Sequence, residues 1–115
     1  MAIAFETSDP DRLLAAFKNA IDKKHVVTWT YDSDGDFTHT PSQWVYRAWF
    51  RPALFHGRLI LNLLGRTDET TSSAVYGVYH GRFIESMLAH CDTLFNSGAA
   101  SAMPTNSDRL TTLAA

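Results

Sequence analysis

Cysteine is nearly absent from this chain of 115 residues, and the single Cys91 excludes an intrachain disulfide and any metal site built from several thiolates. Long apolar runs are absent too. Nothing approaches the roughly 20 consecutive apolar residues of a membrane-spanning helix. The opening residues MAIAFETSDP lack the basic flank and apolar core of an export signal, so a cytoplasmic chain with no membrane association is the expectation. There is no excess of positive charge: 10 Lys and Arg stand against 12 Asp and Glu, for a net charge of −2 and a pI near 6.2. A molecule of that balance has no basic field to draw in nucleic acid. The six glycines are scattered singly, which leaves no phosphate-binding loop and no dinucleotide fingerprint. GxSxG and HExxH are missing, and none of the five histidines, His25, His39, His56, His80 and His90, pairs with another at the i, i+4 spacing of a helical zinc site. No metal and no cofactor are expected.

One local absence has a direction. Between Asp36 and Asp68 the sequence contains no carboxylate side chain, yet it places Arg47, Arg51, Arg58 and Arg66 among Trp44, Tyr46, Trp49, Phe50 and Phe55. Guanidinium groups pair with phosphates and carboxylates, and rings add flat apolar area, so such a run could hold an acidic surface.

What is present reads as a folded domain, with 45% apolar and 12% aromatic residues. Leu13, Leu14, Phe17, Ala20 and Ile21 share one stripe of a helix from about Pro10 to Lys24, capped by Asp9 or Ser8. His25 to Tyr31 alternates as a strand with Val27, Trp29 and Tyr31 on its core side. Asp34-Gly35 makes a tight turn into Phe37 to Thr40, which places Thr30 opposite His39. Thr40 to Gln43 has the form of a capping box. His56-Gly57 joins Tyr46 to Phe55 with Arg58 to Leu64 in a second hairpin, in which Leu54 opposes Leu59, Pro52 opposes Leu61 and Phe50 opposes Leu63. Pro52 donates no hydrogen bond, which places its strand at an edge or a bulge. Ala74 to Tyr79 alternates as a last strand and leads through Gly81 into a helix from about Arg82 to Phe95.

The fold class that follows is α+β: an antiparallel sheet of about five strands, built from two hairpins and a final strand, with an N-terminal and a C-terminal helix on one face. Residues 1–97 form the domain and residues 98–115 a polar C-terminal tail, either loose or docked. With both helices on one side, the reverse of the sheet is bare, and there Trp49, Arg51, Phe55 and Arg58 gather as a partner-binding surface. The function this supports is a small intracellular interaction or self-associating domain, with a second copy or an acidic protein as partner, in preference to single-stranded nucleic acid.

The alternative is a small enzyme or anion-binding protein at the strand-to-helix junction, where His80, Arg82 and Glu85, with His39 as a second group, would supply acid-base chemistry. Against it stands the plain reading of a bend relieved by Gly81 and an Arg82–Glu85 pair. Asp32, Asp34 and Asp36 alternate like the first ligands of a calcium loop, but Phe37 stands where that loop requires glycine and Gln43 where it requires glutamate, which favours a turn. The sequence leans away from an enzyme.

Overall fold

The computed structural model describes residues 3–113. Helix α1 spans Pro10–Asp22, and the Asp9 side chain accepts the Arg12 N–H at 3.1 Å to cap it. It buries Leu13, Phe17 and Ala20. The helix closes where the His25 N–H reaches the Ala20 carbonyl and the Lys24 N–H reaches that of Ile21, with Lys24 left-handed at φ 62°. That stop resets the side-chain phase of the residues after it. Val26 is buried and Val27, expected on the core side, is 68% exposed.

Six strands follow the order β2-β3-β4-β5-β1-β6, all antiparallel: β1 (Ile3–Glu6), β2 (Trp29–Tyr31), β3 (Phe37–His39), β4 (Ala48–Phe55), β5 (Arg58–Gly65) and β6 (Ser97–Ala100). Helix α2 spans Ser73–His90. The α+β class and the antiparallel sheet agree with the sequence expectation, with one strand more than expected.

The composition of the sheet differs in three ways. Ala74 to Tyr79 is not a strand but the first half of α2, because Ser72 caps a helix there by accepting the Val75 N–H, and Val75, Tyr79, Phe83 and Met87 recur every four residues into the core. The chain's own N-terminal segment supplies β1 and the segment after α2 supplies β6. The helix expected to reach Phe95 ends at His90 and is followed by a single 3-10 turn, Asp92–Leu94. The limit drawn at residue 97 thus falls inside β6, where an added side chain on Gly98 would come within 2.8 Å of the Phe5 ring.

The β4–β5 register is the one the sequence dictates, from Phe50 against Leu63 to Phe55 against Arg58, with Gly57 at φ 81° in the turn. The first hairpin is offset by one residue, so His39 faces Trp29 rather than Thr30. The Asp32 carboxylate accepts the N–H groups of Asp34 and Asp36, and this wider loop displaces the two-residue turn. Thr40 does not cap the next turn; its hydroxyl donates to the Val27 carbonyl instead. Paired residues join β3 and β4 only at Phe37 and Phe50, which leaves the Pro52 half of β4 without a ladder on that side.

Both helices lie on one face. Phe83 of α2 stands 5.0 Å from the rings of Phe17 and Trp29, 5.2 Å from Phe50 and 5.7 Å from Phe37, so one aromatic residue joins α1, α2 and three strands. Among the described residues no helix is long and apolar enough to cross a membrane.

Candidate functional site

Alternation along β4 and β5 divides the sheet. Ala48, Phe50, Leu59, Leu61 and Leu63 enter the core, and Trp49, Arg51, Ala53, Phe55, Ile60 and Asn62 take the reverse face, on which neither helix packs. Trp49 lies near the open end of the β4–β5 pair, half-buried beside Tyr46 (57% exposed). The Tyr46 and Trp49 rings lie 6.5 Å apart and 27° from parallel. Three contiguous depressions of 340, 480 and 440 Å³ share Trp49 as a wall and extend from Thr30 and Asp36 on one side to Thr67 and Arg109 on the other. Phe55 (52% exposed) extends the aromatic surface at the hairpin tip, with the Arg58 guanidinium 5.9 Å above its ring.

Tyr46 has φ 60°, a left-handed backbone that costs a non-glycine residue about 1 to 2 kcal/mol. The core enforces it. The Tyr79 hydroxyl donates to the Trp44 carbonyl, Thr38 Oγ1 donates to the Ala48 carbonyl at 2.9 Å, and the same Thr38 oxygen accepts the Tyr46 N–H at 3.1 Å. This buried polar group clamps the second half of the turn of residues 41–47.

The arginines are not free. Arg51 holds the buried Asp36 through two bonds of 2.9 and 2.7 Å, and Arg66 holds Asp68 through two of 2.7 and 2.6 Å. Those bonds keep the Asp68 carboxyl below its usual range and raise the Arg51 and Arg66 guanidinium groups above theirs. Arg47 lies 3.7 Å from Glu69, and Arg58 is registered directly across from Glu6 on the same face. Arg47, Arg51 and Arg66 have thus each met a carboxylate, and Arg58 has Glu6 opposite it in register. The charge of this arginine run is therefore largely offset within the chain.

The second group of residues is brought together only in part, with His39 near Arg82 and Glu85 and His80 apart from them. No strand-to-helix junction exists at His80, since α2 is continuous through it. His80 is buried, Arg82 and Glu85 are exposed, and the buried His39 on β3 senses the opposed charges of both. His39, His80, Arg82 and Glu85 line none of the clefts named here. Gly81 relieves no bend; it is an exposed helical residue with open space around it. Cys91 is a core thiol whose pKa burial raises, away from reactivity. The three aspartates Asp32, Asp34 and Asp36 do lie close enough to share an ion, but Arg51 occupies both oxygens of Asp36 and Asp32 serves the turn. A polar 140 Å³ cleft between Thr7–Arg12 and Thr93–Asn96 surrounds the α1 cap and contains the anionic Asp9.

No family model, no curated protein and no solved structure matches this chain.

Proposed function

We propose that this protein is a self-associating interaction domain that docks a second copy of itself through the bare sheet face around Trp49. The observation that supports it is a sheet side with exposed aromatic rings, Tyr46 and Phe55, at the two ends of β4, and charges paired off internally: Arg51 with Asp36, Arg66 with Asp68, Arg47 with Glu69. A phosphate backbone or an acidic protein would need free cations to bind, and would have to break those pairs. A second copy brings the same balanced surface, meets no net like charge and buries rings against rings.

Light scattering after size exclusion tests this. The wild-type chain is expected at twice its 12.8 kDa mass, and Trp49→Glu and Phe55→Glu at the single mass with unchanged circular dichroism. Wild-type chain that stays monomeric at millimolar concentration would sink the proposal.

A further inference from the structure

Two histidines lie in the core in the same unusual state. His39 places Nδ1 2.7 Å from the Thr28 carbonyl, and His80 places Nδ1 2.6 Å from the Tyr76 carbonyl. A carbonyl only accepts, so each Nδ1 carries the proton and each neutral ring turns its Nε2 lone pair inward. Both Nε2 atoms are buried and meet no partner, in rings that are 2% and 4% exposed.

Their surroundings offer a proton little. His39 lies 4.6 Å from the Trp29 ring of β2 and 6.0 Å from the Tyr79 ring of α2, and the charges that reach it, Arg82 and Glu85 on α2, oppose one another. His80 stacks on Tyr76 at 3.8 Å, meets the edge of Phe50 on β4 at 5.1 Å, and senses Asp108 of the C-terminal segment, whose Oδ1 is engaged by the Leu63 N–H. An unanswered lone pair costs little beside an unanswered imidazolium in the same place.

We propose that His39 and His80 form an acid-sensitive latch: the fold holds while both rings are neutral and opens when they take up protons. Burial lowers the pKa of each ring from the ordinary 6.5, so below that pH the unfolded chain binds more protons than the folded one. Stability is therefore full above about pH 6.5 and falls as the pH drops below it, by up to about ten-fold in the folding constant per pH unit for each ring.

Urea unfolding read by tryptophan fluorescence between pH 7.5 and 5.5 tests this, a window that stays above ordinary carboxylate titration. The expected result is a folding constant that drops with acid in the wild type, less steeply in His39→Phe and in His80→Phe, and is nearly flat in the double variant. These variants should fold, because both carbonyls keep a backbone donor: the Thr40 N–H on Thr28, and the helical N–H of residue 80 on Tyr76. Nitrogen-detected imidazole spectra of the wild type give a second readout that needs no variant. Both rings should remain in the Nδ1–H neutral form for as long as the protein is folded. A pH-independent wild-type folding constant, an undiminished slope in the double variant, or an imidazolium signal from either ring in the folded protein would each overturn the latch.

Discussion

Phe83 shows how much one side chain carries in this core. It sits 1% exposed with the rings of Phe17, Trp29, Phe37 and Phe50 within 5.7 Å, so it fastens both helices to the strands at one point. Neighbours drawn from four separate elements cannot all close over the space it would vacate. Phe83→Ala is therefore expected to cost about 3 to 5 kcal/mol, a large part of the roughly 5 to 15 kcal/mol that holds a domain of this kind together. A shift of the urea midpoint corresponding to less than about 1 kcal/mol would mean that the aromatic hub is looser than its ring distances indicate. At the same scale, the arginines illustrate what a linear sequence hides. Arg51 has no acid within fourteen residues of it along the chain, and the fold brings it Asp36, while Arg66 takes Asp68 from only two residues away.

At the scale of elements, α2 tests whether its glycines are there for a reason. Gly77 and Gly81 are exposed, and an added methyl group at either would meet nothing within 4 Å. Gly81→Ala should therefore stabilise the protein by about 0.5 to 1 kcal/mol, raising the melting temperature by about 3 to 6 °C. A lower melting temperature would reveal a close approach at that position. These glycines also explain why half of α2 reads as a strand from sequence. Glycine weakens the helical signal, and Ala74, Tyr76 and Val78 alternate with Val75 and Tyr79 in a stretch whose β-branched and aromatic residues suit a strand.

By contrast, the β4–β5 hairpin was legible to the residue, because a two-residue turn with glycine leaves one register, and so was the grouping of Trp49, Arg51, Phe55 and Arg58 on one side. Strands β1 and β6 were not legible. Each has only four residues, and the glycine at position 98 of β6 answers the Phe5 ring lying against it, a demand that comes from tertiary packing alone. The offset of β3 has a local cause, the Asp32 carboxylate, that a turn dipeptide does not reveal.

At the scale of the whole molecule, the reach of the charges decides how the proposed contact through the bare face should respond to salt. A docking surface driven by unpaired guanidinium groups weakens steeply with salt, because ions screen exposed charges beyond about 10 Å at 0.1 M and bound counterions are released on contact. Here Arg51 and Arg66 spend their charge on Asp36 and Asp68 at bonding distance, which leaves burial of Trp49, Tyr46 and Phe55 to drive the proposed association, and burial of that kind is insensitive to moderate salt. The dissociation constant of the proposed self-complex, measured by sedimentation equilibrium, should accordingly change by no more than about three-fold between 50 and 500 mM sodium chloride, against the orders of magnitude expected of a multi-contact electrostatic interface. A ten-fold or larger weakening over that range would show that the ion pairs open on docking and that the partner is held by charge; Arg51→Leu would then weaken the complex at low salt and leave it unchanged at high salt.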